Sequence, residues 1–367
     1  MRARTFFIAA AALVAVAGCG GGGGSGGGGA TEAGGTQPKV VSGPLRLFAY
    51  SDGFDKQLIQ PFETENPKVQ LQTTPFDSVA SATAKLRAGY HTDVINTCVE
   101  EGAATQVKLG LLAPLDTSRI PGWKTIFPTF KKLPGVIVDG KVYLIPVDSG
   151  VTGIMYDSTK ITTPPTSWAD LFSSAYKGQV SVEDNPEVAI QVGALALGIK
   201  DPVHLSDDQI EQVKNFLIAH RDVFRTYWNS DADINNLMAT GEVTIAEGYP
   251  GNVLDMNRNG ARNIKFALAK EGQIVWTCGY GISTSASNVD ASYALLNYYL
   301  KPSAQLIEAS RWNYIMTNEQ TLKAAPPALA KRADLSLPLH FGNIIPASPP
   351  PDYDKWIEAW NEVKAAG

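Results

Sequence analysis

Residues 166–188 read TSWADLFSSAYKGQVSVEDNPEV. Thr166 and Ser167 offer capping hydroxyls, and Asp170 places a carboxylate in the first turn, where a helix N-terminus favours negative charge. YKG then ends the helix and turns the chain into the strand QVSVED. Asp184 and Glu187 follow three residues apart at the start of the next helical pattern, EVAIQVGALALG. Helix, strand and helix in this order describe one repeat of an α/β layer. The two carboxylates admit two readings. Asp184 can cap the helix with Glu187 completing a capping box, or both can face a cation in a cleft.

The same alternation extends in both directions. LRLFAY (45–50) is a strand pattern, followed by an SDG turn and the amphipathic FDKQLIQPFETENP, with Pro61 positioned to kink it. KVQLQTT, SVASATAKLRAG and DVINT supply strand, helix and strand. KVYLIPVD and TGIMYD are two strand-like runs joined at 149–151, which suits a chain crossing between domains. The second α/β region holds DDQIEQVKNFLIAH and GEVTIAEGY, and WTCGYGIS (276–283) reads as a return crossing. ASYALLNYYL and PSAQLIEASRW are helical, and DYDKWIEAWNEVKAAG closes the chain as an amphipathic helix. In open α/β sheets ligands bind beyond the carboxyl ends of strands. Here those ends carry AYSD, TCVE, ED and EGY, together with Trp276.

The N-terminal 18 residues combine two arginines with IAAAALVAVAG, too short to span a bilayer stably. Val16-Ala17-Gly18-Cys19 resembles the lipobox of bacterial lipoproteins, which implies lipid on Cys19 after removal of a signal peptide spanning 1–18. The Gly/Ser-rich stretch that follows reads as a flexible tether over 19–43. About 320 further residues suffice for two domains. A net charge of −5 argues against a nucleic-acid partner. The four histidines are scattered and the cysteines lack metal-type spacing, so neither a metal nor a cofactor is expected. There is no GxSxG elbow, no HExxH and no Walker lysine, and an enzyme is not expected. With Cys19 lipidated, Cys98 and Cys278 remain as an even pair in an oxidising compartment.

From Leu45 onward the chain resembles the spermidine/putrescine-binding proteins of ABC importers. The resemblance rests on residues 166–188, on WNSDADINNLMATGEV (228–243), on KEGQIVW (270–276), on NYIMTN (313–318) and on the closing WNEVKA. It implies a two-lobed α/β fold of the type II periplasmic-binding class, with a two-strand hinge. Lobe one would hold 44–150 and 278–328, and lobe two 151–277 and 329–367. It implies that Asp184 and Glu187 hold ammonium groups and that Ser230 touches the ligand. Tyr50, Tyr249, Trp276 and Tyr314 would wall the site, with Ser51 and Asp52 facing it. The implied partners are a small cationic ligand and an ABC permease, for an exported, lipid-anchored monomer.

The sequence also departs from that pattern. Cys278 stands where the family carries an acidic residue, Cys98 replaces a hydroxyl residue, and Glu100 a tyrosine. Gly53 replaces an aromatic beside Asp52. Both cysteines fall at positions that face the ligand in the family, and they either form a disulfide within lobe one or stay as separate buried thiols. The same fold binding an amino-acid derivative or a thiamine-like cation is the alternative. Ferric iron on Tyr298-Tyr299 is the weaker one, since that pair lies in a helical pattern that suits core packing.

Overall fold

A computed structural model of the chain describes residues 41–76, 78–333, 335–336, 344–345 and 350–366. The expected signal peptide, the expected lipid site Cys19 and most of the expected tether lie outside the described residues. Strands Val69–Pro75, Gly43–Ala49 and Val94–Cys98 pair in parallel. Strands Ile245–Gly248, Val180–Glu183 and Phe224–Trp228 form a second parallel set. Between the sets run two long antiparallel strands, Ile145–Asp157 and Gln273–Ser283, paired from Ile274 opposite Thr152 to Tyr280 opposite Ile145.

The long strand Ile145–Asp157 is buried along its whole length and serves two cores. Ile145 and Val147 pack with Leu45, Phe62, Val94 and Leu296. Ile154 and Tyr156 pack with Trp168, Val180, Val192 and Trp356. A strand buried on both faces reads as a continuous apolar run, and here small and polar residues (Asp148, Ser149, Gly150, Thr152, Gly153) interrupt it where the two cores part. Gly150 lies opposite Trp276, and a Cβ there would come within 2.3 Å of the indole. Glycine lets the indole lie directly on the crossing strand.

Four local expectations change. The capped helix at 167 is a pair of short 3₁₀ turns, Trp168–Phe172 and Ser174–Tyr176. Ser167 and Asp170 still form the capping box, but Ser173 is extended and caps the second turn, so the helix cannot propagate. The next helix, Pro186–Ala196, is capped by Asn185, whose side chain accepts from Glu187 N at 2.9 Å, and not by Asp184. The helix Lys56–Glu65 continues through Pro61. Leu335 and Ala333 pack with Ala309 and Met316, beside the first set of strands, although a boundary was expected at 329. The closing helix Tyr353–Ala365 puts Trp356 and Trp360 into the second core.

Candidate functional site

Where the parallel strands of both sets end, carboxylates gather, and each of three groups contains one tyrosine that donates to one of them. After Val94–Cys98 the chain enters a tight turn that presents Glu100 and Glu101. Tyr50 Oη donates to Glu101 Oε2 at 2.7 Å, and Thr277 N donates to Glu100 Oε2 at 3.2 Å. Glu187, 8% exposed, comes to the same place from the first turn of its helix. In the second group, Tyr249 Oη donates to Glu183 Oε2 at 2.7 Å, and Glu183 N to Glu247 Oε2 at 2.9 Å. Asp231, beginning the helix after Phe224–Trp228, accepts from Asn252 Nδ2 at 2.8 Å and acts electrostatically on this group. In the third, Tyr314 Oη donates to Asp52 Oδ2 at 2.9 Å, with Asp148 and Glu308 buried as its electrostatic neighbours. Trp276 meets Tyr314 edge to face at 4.9 Å.

Among the described residues no lysine or arginine forms an ion pair with any of these nine carboxylates. The acidity of Asp52, Glu100, Asp148, Glu183, Glu187, Glu247 and Glu308 responds accordingly, because burial penalises the charged form and neighbouring charges add to the penalty. Burial, then Glu101, pushes the Glu187 carboxyl up to about 8. Burial pushes Glu183 up to about 7 with help from Glu101, against the hydrogen bond from Tyr249. Burial and Asp52 take Asp148 to about 8. Glu100, Glu247 and Glu308 move well above the ordinary range for the same reason. Carboxyls raised in this way take up protons more readily, and a cation beside them would favour the charged form again.

Tyr50, Asp52, Glu100, Glu187, Tyr249, Trp276 and Tyr314 therefore come together. Asp184 does not join them: its Oδ1 accepts from Trp360 Nε1 and from Lys364 Nζ, both at 2.7 Å, and so anchors the closing helix. In a strand, successive side chains point to opposite faces, and it is Glu183, one residue earlier, that faces the row. Ser230 is exposed and caps Asp231–Ala239 by accepting from Asp233 N, and Ser51 is exposed in the turn before Asp52. Cys98 and Cys278 are register partners and their sulfurs are bonded. With Glu100 their ligand atoms lie within 4.8 Å of one another, but sulfurs bonded to each other offer a metal no thiolate. Tyr298 and Tyr299 are buried, their hydroxyls donating to the carbonyls of Leu58 and Gly53. A cavity of ≈ 370 Å³ lined by Val151, Phe266 and Ile315 touches none of the nine carboxylates.

Sequence reasoning missed Glu101, Asp148, Glu183, Asp231, Glu247 and Glu308. A signal existed for two of them. Glu247 is a charge inside the apolar strand IAEG, and Glu308 follows Gln305 by three residues, so two polar side chains share one helix face.

The family model for bacterial extracellular solute-binding proteins matches residues 57–334. The putrescine-binding periplasmic protein of Escherichia coli (strain K12) is 28% identical over 305 residues, covering 78% of this chain and 80% of that protein. The putrescine/agmatine-binding protein of Pseudomonas aeruginosa is 26% identical over 291 residues, covering 74% and 76%. Among solved structures, a spermidine/putrescine ABC transporter substrate-binding protein from Streptococcus pneumoniae superposes with a TM-score of 0.75 at 22% identity, covering 89% of this chain and 99% of that one. A periplasmic binding protein from A. tumefaciens B6 in complex with glucopine gives 0.70 at 19%, covering 88% of this chain and 99% of that one. The two structures establish the fold and, with their different ligands, leave the solute to the side chains. Two cores joined by two crossing strands, a match over most of the globular chain and relatives that are solute-binding proteins rather than enzymes give one assignment: the chain belongs to the bacterial extracellular solute-binding proteins, with their two-lobed α/β fold.

Proposed function

We propose that this protein binds a linear aliphatic polyamine between its two lobes and delivers it to an ABC permease. The observation that carries the reading is the row of nine carboxylates with no lysine or arginine paired to them among the described residues. A ligand bearing its own carboxylate would add one more buried acid to a row that has no cation, whereas protonated amines let the row ionise and pair with it. Methylene segments between the amines would lie on Trp276 and the tyrosine rings, where a cation over an aromatic face contributes about 0.5–2 kcal/mol.

Lobe one would hold 44–150 and 278 to at least 335, and lobe two 151–277 and the closing helix. Closure about the crossing strands would bury the ligand. Export, a lipid on Cys19, the tether and a monomeric state complete the proposal. Calorimetric titration of the purified protein with putrescine, spermidine, glutamate and thiamine tests it. Saturable binding of either amine, with a raised melting temperature, is the expected result. Binding of glutamate or thiamine with no response to amines would overturn it.

A further inference from the structure

Two of the wall tyrosines, Tyr249 and Tyr314, stand beside a seam where helices from opposite lobes meet. Tyr249 leads directly into the helix Pro250–Arg258, which packs Val253 and Met256 with Trp228 and Ala246 of the second strand set. Tyr314 follows the helix Pro302–Trp312 after one left-handed residue, Asn313, and that helix packs Ala304 with Leu296 and Tyr299 of the first core. The last four carbonyls of a helix have no partner within it. At the end of Pro302–Trp312, Arg258 crosses from the other lobe to supply donors. Its Nη1 donates to Arg311 O at 2.9 Å and its Nη2 to Ser310 O at 2.8 Å. A guanidinium there also meets the negative end of the helix dipole. Asp255, three residues back on the same helix, lies 3.6 Å from Arg258 Nη1 and orients the side chain.

Gly251 marks the same seam at the start of its helix. A Cβ there would come within 2.8 Å of Trp312 O, across the lobes. The residue lies in the first turn of Pro250–Arg258 and has no left-handed backbone, so nothing local calls for glycine. The seam does. Three successive carbonyls of one lobe, those of Ser310, Arg311 and Trp312, are therefore met by a single helix of the other. We propose that Arg258 and Gly251 form a latch between the lobes, which holds the closed form and sets how long the solute stays bound without touching it. This rests on the reading above that the solute lies between closing lobes.

A contact made only when the lobes meet stabilises one of two states, and it shifts the population by that difference. Dissociation of the solute must break it, whereas entry into the open form does not, so its effect belongs to the dissociation rate. The seam also reaches the wall of the site. Trp312 stacks on Tyr314 with centroids 5.7 Å apart, and Tyr314 meets Trp276 edge to face. Arg311 is held to its own lobe by Asp55 at 3.1 Å, so the carbonyls that Arg258 grips are anchored. Arg332 supplies a comparison within the fold. It donates to the same Ser310 O at 3.0 Å, but from a segment that packs with Ala309 and Met316, so it caps the helix without crossing the seam.

The test is stopped-flow binding of spermidine and putrescine to the parent, Arg258→Ala, Arg258→Lys, Gly251→Ala and Arg332→Ala, with small-angle scattering of each unliganded protein. Arg258→Ala and Gly251→Ala should speed dissociation about fivefold or more, with association changed by less than about twofold. Arg258→Lys should recover part of the loss, since an ammonium lacks the fork that reaches two carbonyls together. Arg332→Ala should stay within about twofold of the parent in both rates. Alanine is the better helix former, so faster dissociation of Gly251→Ala without a lowered melting temperature is a readout that structural damage would not give. The radius of gyration should rise in Arg258→Ala and Gly251→Ala. Dissociation from both variants within about twofold of the parent would overturn the latch, as would an Arg332→Ala that matches Arg258→Ala. A parent that binds neither amine overturns the polyamine reading instead, and scattering then decides the latch. Radii equal to the parent's in both variants would overturn it.

Discussion

Two buried acids in the molecule, Asp93 and Glu308, have opposite surroundings. Asp93 is fully buried, and burial alone would raise its pKa. Backbone donors from Arg46 at 2.8 Å, Ser287 at 2.6 Å and Asn288 at 2.9 Å reverse that and hold it below the ordinary carboxylate range. Glu308 is comparably buried and has an oxygen with no donor at all. The first carboxylate ties the start of the strand Val94–Cys98 to the segment that leads into the helix Val289–Tyr299, and its charge is satisfied by the fold. The second is satisfied by nothing among the described residues. A buried acid with backbone donors is architecture, whereas one without them points to a ligand.

The contrast breaks first at Asp93. Asp93→Asn removes the charge that three backbone N–H groups converge on, and a loss of about 3 kcal/mol in unfolding free energy is expected by denaturant titration. Its depressed pKa means that its contribution is present above the unfolded value of about 4 and vanishes as pH falls below it. A variant as stable as the parent at neutral pH would show that Asp93 is not the architectural case.

Neighbouring residues give the next test. Glu183 faces the row while Asp184 anchors the closing helix through Trp360 and Lys364. Glu183→Gln should weaken amine binding by about a hundredfold, roughly 2.7 kcal/mol. Asp184→Asn should leave affinity within about threefold and lower stability by about 1 kcal/mol. Reversed outcomes in titration calorimetry would return the ligand role to Asp184.

That pair also shows how far the sequence could be read. Alternating patterns predicted strands, helices, the crossing near 149 and the return at Trp276, because those depend on periodicity and length. The choice between Glu183 and Asp184 depends on strand phase, and a one-residue shift exchanges the two faces. Asp184 also needed a partner from residue 360, which no local pattern announces. The pairing of Asp148 with Glu308 was hidden for a related reason. Each sits among apolar neighbours in PVD and LIEAS, and only the packing of a strand against a distant helix makes them a pair. The resemblance named Trp276 and Tyr314, and the two rings do meet edge to face.

A smaller effect spreads over the whole row. Glu183, Glu187 and Asp148 have pKa values raised to about 7, 8 and 8, so the unliganded folded protein binds more protons than the unfolded chain. For carboxyls raised in this way stability falls as pH rises between the unfolded and folded values. A net loss of stability is expected from about pH 5 to 8, and a saturating amine should flatten it. Melting temperatures across that range, with and without spermidine, decide the matter. A stability that rises with pH in the unliganded protein would mean the row is already compensated.

The smallest expected effect concerns the disulfide beside the row. Cys98 and Cys278 are register partners on adjacent strands, and Cys278 lies opposite Asp148 on its other side. The bond closes a sequence separation of 180 residues, so reduction should cost stability, with chain-entropy models giving on the order of 5 kcal/mol as an upper figure. Binding is another matter. Both strands lie in the sheet that carries the first core, the bond does not bridge the two cores, and neither sulfur supplies a charge to the row while it is bonded. Spermidine affinity measured with and without a dithiol reductant is therefore expected to differ by less than about threefold. A larger loss would show that the disulfide sets the spacing between Glu100 and Asp148, and the first and third carboxyl groups would then be mechanically coupled rather than independently built.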